Sequence, residues 1–245
     1  MAIEARAPRL AVLIDADNAS AKIANGLFEE IAKIGEASVR RIYGDFSGQQ
    51  LSGWAKILAR FAIMPQHTVA AVAGKNASDI ALVIDAMDLL HTGRFDAFCL
   101  VSSDSDFTRL AARIREQGVD VYGFGEQKTP ESFRQACRRF IYTENLLPAA
   151  PKPATVNAPA IATKPEKLLA PPAEAMRLVR TALAQLEDAD GWVSLGVLGK
   201  RLLELASDFD PRTYGHAKLV DLVTKSGGFE VRRPEGGGVY IRDKA

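Results

Sequence analysis

Cysteine is nearly absent from this chain of 245 residues, which has only Cys99 and Cys137. One stands in an apolar run and the other in a helical stretch. That excludes a disulfide framework or a thiolate metal site and leaves two small, buried, reduced thiols. Histidine is almost as scarce. His67, His91 and His216 have no His or Cys partner at ligand spacing, so they read as structural or surface residues. No apolar run approaches the roughly 18 residues a membrane-spanning helix needs. The opening MAIEARAPRL is too short and too polar before Leu10 for a signal peptide. A cytoplasmic chain with no membrane partner is expected. No GxGxxG follows the first apolar run, and Walker A and GxSxG sequences are missing, which argues against dinucleotide, P-loop and serine-hydrolase sites. Charge of one sign is lacking too. The net charge is +1; residues 1–148 carry 17 Lys and Arg against 18 Asp and Glu, and residues 173–245 carry 11 of each. A tight duplex binder would show a broad basic footprint, so any nucleic-acid contact here must use local patches.

Proline is present but unevenly spread. Seven of the twelve fall between Pro148 and Pro172, in PAAPKPATVNAPAIATKPEKLLAPP. Proline and alanine without aromatics cannot build a core, so residues 149–172 read as an extended, semi-rigid linker. Two domains follow, 1–148 and 173–245. The first alternates. RLAVLIDAD is a buried strand that ends in acids, and SAKIANGLFEEIAKIG is a helix with a glycine stop. ASVRRIYGD, QHTVAAVAG, FDAFCLVSS and VDVYGFG read as further strands. LSGWAKILARFAI, SDIALVIDAMDLLHTG (with Ser78 as N-cap), SDFTRLAARIREQG and the closing PESFRQACRRFIYTENL read as helices. Such alternation predicts an α/β fold, a parallel sheet flanked by helices on both faces. In the second domain, PAEAMRLVRTALAQLED reads as a helix, WVSLGVLGKRLLELA as a short extended piece and then a helix capped by Ser194, and FDPRTYGHAKLVDLVTKSGG as a helix opened by Asp210 and Pro211. FEVRR and VYIRD flank a glycine loop as a hairpin. Three helices and a terminal hairpin make a small winged-helix, α+β, pattern.

The first domain's acids fall where chemistry is done. In a parallel sheet, ligands bind at the carboxyl ends of the strands. Asp15 and Asp17 follow the first strand, Asp79 opens the third helix, and Asp104 and Asp106 follow FCLV. Gathering carboxylates costs several kcal/mol at low local dielectric, and a cation in their midst offsets it. Oxygen ligands without His or Cys suit Mg²⁺ or Mn²⁺, and a carboxylate-held dication suits phosphate chemistry. One of Asp104 and Asp106 alone could be a helix cap; the pair, with Asp15 and Asp79 on the same rim, favours a site. Asp17 and Asn18 could be turn formers, with Asn18 well placed to support Asp15. Lys75 could contact phosphate or be a solvated loop lysine. Asp85 and Asp88, six and nine residues beyond Asp79, point away from it at about 100° per residue, so they are lesser candidates; Asp85 could support the site or meet substrate, or be buried and hydrogen-bonded in its apolar run.

LIDADNAS, GKNASDIALVIDAMDLL, LVSSDSDFTRLAARIREQGVDVYGFG and TPESFRQACRRFIY, in that order over residues 9–147, resemble the NYN domains, a LabA-like branch of the PIN-like nuclease superfamily. The resemblance implies a PIN-like sheet and a metal-dependent ribonuclease site. By motif, its acids are Asp15, Asp79, Asp104 and Asp106. Asn18 matches the Asn after the first acid, and Ser102 and Ser103 match the serine region. The tail, with Phe209, Pro211, Arg212, Tyr214, Gly215, Lys218, Leu219 and Leu222 in pattern, resembles the LOTUS or OST-HTH domain. That implies RNA binding or a protein partner, with Lys200, Arg201, Arg212, Lys218, Arg232 and Arg233 as phosphate contacts. Tyr214 could join them or pack in the core.

Three functions stand open. The first is an endoribonuclease using Mg²⁺ or Mn²⁺, with RNA as its partner, acting as a monomer or a homodimer. The second is a non-catalytic RNA-binding scaffold. The third is a haloacid-dehalogenase-like phosphatase with Asp15 as nucleophile. Against the third, Ala19 stands where that family has Thr or Val, and no lysine shortly precedes SSDSDF.

Overall fold

RLAVLID offers no polar face to water, and it forms a strand buried on both sides. In the computed structural model, which describes residues 6–67, 77–147, 169–186, 191–234 and 237–244, β1 (Arg9–Asp15) pairs in parallel with β2 (Glu36–Gly44) on one side and β4 (Ala97–Val101) on the other. With β3 (Met64–His67), β5 (Asp120–Gly125) and β6 (Arg139–Tyr142) they make a six-stranded parallel sheet of order β3-β2-β1-β4-β5-β6. Successive side chains of a strand point to opposite faces. Ala11 and Leu13 of β1 join one core layer with α3 (Ala77–His91), α4 (Thr108–Glu116) and α5 (Glu131–Ala136). Leu10, Val12 and Ile14 join the other, with α1 (Ala24–Ala32) and the single-turn α2 (Ser52–Ala55). Burial on both faces is why these strands are continuous in apolar residues rather than alternating. From β1 the chain runs outward to β2 and β3, then returns to β4 on β1's other side. The crevice at the carboxyl ends of β1 and β4 is therefore the topological switch point.

Several expected elements differ. The helix expected over 51–63 is one turn, α2, followed by turns to Ala62, whose φ is +50°. Side chains take over there. Phe61 stacks on Phe28 with centroids 5.0 Å apart, Arg40 lies over Phe28 and Arg60 over Phe61, and Arg40 Nη1 donates to the Phe61 carbonyl at 2.8 Å. The closing helix expected over 130–146 is α-helical only in α5, with a 3-10 turn at Thr143–Asn145. Cys137 is extended, and RFIY forms β6. Phe133, Cys137 and Phe140 or Ile141 keep helical spacing, yet Phe140 and Ile141 enter opposite core layers, as strand residues must. Of the strand expected over 66–74, the described part is β3, and the rest lies outside the described residues. Both cysteines are buried and unbridged. Burial pushes both thiols up, Cys137 to about 12.

The chain divides into two compact bodies, the six-stranded sheet lying in the first. The C-terminal sequence adds α6 (Pro172–Ala184), β7 (Val193–Ser194), α7 (Leu195–Leu205), α8 (Leu219–Lys225), β8 (Phe229–Arg232) and β9 (Tyr240–Asp243). The three strands form an antiparallel sheet of order β7-β9-β8. The helix expected over 209–228 is split. Asp210 caps a 3-10 turn, Pro211–Tyr214, and Gly215, at φ +83°, ends it before α8; only glycine takes that backbone without strain. Among the described residues no helix is long and apolar enough to cross a membrane.

Candidate active site

Asp15 ends β1 at 1% exposure, and the DADN turn folds around its carboxylate. Oδ1 accepts from the backbone N–H groups of Asp17 (3.1 Å) and Asn18 (3.3 Å). Oδ2 accepts from Asn18 Nδ2 (2.9 Å) and Ser102 Oγ (2.7 Å). These bonds fill four acceptor positions of a buried carboxylate. Burial still pushes its pKa above the ordinary value, against the lowering by Ser102 and Asn18.

Ser102, just beyond β4, donates to Asp15 and accepts from the Asp104 N–H at 3.0 Å. This relay ties the end of β4 to the end of β1. Ser103 Oγ accepts from the Glu126 N–H at 2.8 Å and ties the same loop to the end of β5. Gly125 makes that approach feasible, because a Cβ there would lie 2.6 Å from the Ser102 carbonyl oxygen. Asp104 caps a 3-10 turn, Ser105–Phe107, its Oδ1 accepting from the Asp106 N–H at 2.9 Å. The capping role weighed from the sequence is thus real and occupies one carboxylate oxygen. Phe107 is buried, and Asp106 beside it is exposed.

Asp79 lies in the first turn of α3, half-buried. Its pKa is pushed up to about 6, first by burial and then by the charges of Asp15, Asp104, Asp17 and Asp106. Carboxylates from three separate stretches of chain therefore converge on one edge. Ser78, expected as the N-cap of this helix, lies inside it instead and donates to Asp17 Oδ2 at 3.2 Å, bridging the first loop to α3.

The structure thus brings Asp15, Asp17, Asn18, Asp79, Ser102, Asp104 and Asp106 to the switch point. Lys75 lies outside the described residues. Asp85 is engaged elsewhere: one oxygen accepts from Arg41 Nη1 and the other from the Tyr43 hydroxyl. This clamp joins α3 to β2, and burial together with Asp85 raises the Tyr43 pKa far above its usual range. Sequence spacing could not find it, because Arg41 and Tyr43 meet Asp85 only in the fold. Asp85→Ala leaves two part-buried donors unpaired and should cost about 1–3 kcal/mol, read by urea unfolding. An unchanged midpoint would refute the clamp.

In the second domain, Arg212 is occupied by Asp210, its Nε and Nη2 lying 2.6–3.0 Å from the carboxylate, and Arg201 pairs with Glu204 at 2.9 Å. Arg212 is thus held by a buried carboxylate, whereas the Arg201 pair is open to solvent. Tyr214 ends the 3-10 turn, half-buried; Lys200, Lys218 and Arg233 are exposed; and Arg232 lies over the Trp192 ring.

A hard dication suits the first domain's donors, which are all oxygen and mutually repelling. Among the described residues, however, no three His, Cys, Asp or Glu side chains are grouped so that they could hold a metal ion. The carboxylates raise one another's charge cost across this edge without closing around a common centre.

Residues 9–146 match the family model of the NYN domain, and residues 166–241 match that of the OST-HTH/LOTUS domain. No curated protein matches the chain. A crystal structure of a protein of unknown function from Vibrio parahaemolyticus is similar, with 18% identity and a TM-score of 0.49, covering 60% of this chain and 99% of that one. A solution structure of an uncharacterized protein from Nitrosomonas europaea is 31% identical with a TM-score of 0.26, covering 40% of this chain and 90% of that one. The NYN match spans more than half of the chain and contains every acid of the switch-point cluster, so the chain belongs to the NYN domain family of PIN-like nucleases, with an OST-HTH/LOTUS domain after it.

Proposed function

We propose that the chain is a metal-dependent endoribonuclease that hydrolyses RNA phosphodiesters at the switch point, with its OST-HTH/LOTUS domain holding RNA. The observation that carries this reading is Asp79, pushed up to about 6 in the field of four other carboxylates. Acids assembled at such a cost fit a site whose working state contains a cation. Asp79, Asp104 and Asp106 would hold Mg²⁺ or Mn²⁺, with Asp15 behind them. The ion, when bound, neutralises charge on the phosphate and activates the attacking water. Residues of the chain set the geometry. Asn18 and Ser102 fix the Asp15 carboxylate, and Ser102 links it to the backbone of Asp104, so the two acid-bearing loops keep a constant spacing. Asp17, braced by Ser78, and Lys75 are proposed to meet substrate. The Pro/Ala-rich stretch between the domains would raise the effective concentration of bound RNA at the acids.

Single-turnover cleavage of labelled RNA with Mg²⁺, Mn²⁺ or EDTA tests this. Cleavage should require one of the metals, and its absence under all three conditions would sink the proposal. The scaffold reading would then stand if the chain bound RNA without cutting it. The phosphatase reading needs Asp15 as an accessible nucleophile, but both of its oxygens are engaged and the residue is buried. Chromogenic phosphate esters should therefore survive.

A further inference from the structure

The antiparallel sheet of the second body has two unlike faces. Val193, Phe229 and Ile241 are buried on one of them. Alternation puts Trp192, Ser194, Glu230, Arg232, Tyr240 and Arg242 on the other, where Tyr240 stands opposite both Ser194 and Arg232, and Arg242 opposite Glu230. This second face is open to solvent: Arg232 and Arg242 are exposed, and Trp192 and Tyr240 are partly so. The guanidinium carbons of Arg232 and Arg242 lie 4.8 and 4.9 Å from the Trp192 ring centroid. An indole, a phenol and two arginines thus share one solvent-facing surface in a domain with no net charge.

We infer that this face holds single-stranded RNA, with unpaired bases stacked on Trp192 and Tyr240 and backbone phosphates met by Arg232 and Arg242. The inference rests on the RNA-binding half of the function proposed above and says where and in what form the RNA is held. Stacking on aromatics needs bases whose faces are free, which a duplex does not offer. A duplex would also call for a long basic track, and this domain has none. Flat guanidiniums beside an indole already form a stacking platform. Arg242 is held by an exposed ion pair with Glu230, and such a pair is weak enough for a phosphate to displace. Arg212, by contrast, is held by the buried Asp210 carboxylate.

The chain has two tryptophans, and Trp54 donates its Nε1 to the Ala19 carbonyl beside the acidic turn, so emission is read in a Trp54→Phe background, where a change on adding RNA reports Trp192. The full chain in EDTA is titrated with a labelled twelve-nucleotide oligouridine and with an RNA hairpin. The single strand should bind more tightly than the hairpin and quench the emission along the same curve. Trp192→Leu and Tyr240→Leu should each weaken oligouridine binding about tenfold, while Trp192→Phe, which keeps a stacking ring, retains most of the affinity. Thermal melts check folding; if Trp192→Leu unfolds, Tyr240→Leu and Arg232→Gln carry the test. Binding with unchanged emission and full affinity in the Leu and Gln variants, or preference for the hairpin, overturns the inference. Absence of any RNA binding overturns it together with the RNA half of the proposed function. Stacking without metal-dependent cleavage sinks only the nuclease.

Discussion

Asp79→Asn should cut metal-dependent cleavage by about 10²–10³-fold and yet, in EDTA at pH 7.5, melt higher than the parent. The gain follows from the proton balance. An unfolded Asp79 loses its proton near 3.8, the folded one near 6. Between those values the native state binds more protons than the unfolded state, so stability falls as pH rises through that window. Above pH 6 the native protein bears the full cost of the crowded charge. Asparagine removes that charge, so the gain should be present at pH 7.5 and vanish below pH 4. Asp79 is only partly buried, and solvent screens part of the effect. At about 2–4 °C for each kcal/mol in a chain of this size, a gain of a few degrees is expected. Added Mg²⁺ should reverse the order, because ligand binding stabilises the parent in proportion to its occupancy and the variant has lost a ligand. For cleavage, losing several kcal/mol of charge stabilisation corresponds to about 10²–10³-fold. A variant that melts lower than the parent in EDTA at pH 7.5 would mean the carboxylates are not crowded.

Phe107→Ala should be among the most destabilising single changes in the first body. Phe107 is 1% exposed and packs in one core layer with Leu110, Ala111, Ile114 and Phe133. Truncation leaves a cavity under the turn that carries Asp104 and Asp106, at a cost of about 3–5 kcal/mol. Asp106, one residue earlier, is exposed, and Asp106→Ala should change stability by no more than about 0.5 kcal/mol while cleavage is lost. Urea unfolding of the two variants separates anchor from chemistry within one turn. Equal midpoints would show that Phe107 does not hold the turn.

The acidic rim was readable from sequence because strand order in a parallel α/β fold sends every strand's carboxyl end to one edge. Asp15, Asp79, Asp104 and Asp106 could therefore be grouped before any contact was known. The segment RFIY was misread because its apolar spacing fits a helix and a strand equally, and only pairing with β5 decides between them. The segment after α2 was misread because a stack of Arg40, Phe28, Phe61 and Arg60, drawn from distant stretches, outweighs local helix preference.

By itself, the sequence determined the alternation of apolar strands with helices and which acids stand at strand ends and helix starts. Those are local or periodic properties, written in residue order. Only the tertiary structure decided that Asp15 is saturated by Asn18 and Ser102, that Asp79 feels four other charges, that Asp85 belongs to Arg41 and Tyr43, and that Trp192 lies against Arg232 and Arg242. Each of these depends on side chains meeting across elements, and the partner of a polar group is set by the packing around it.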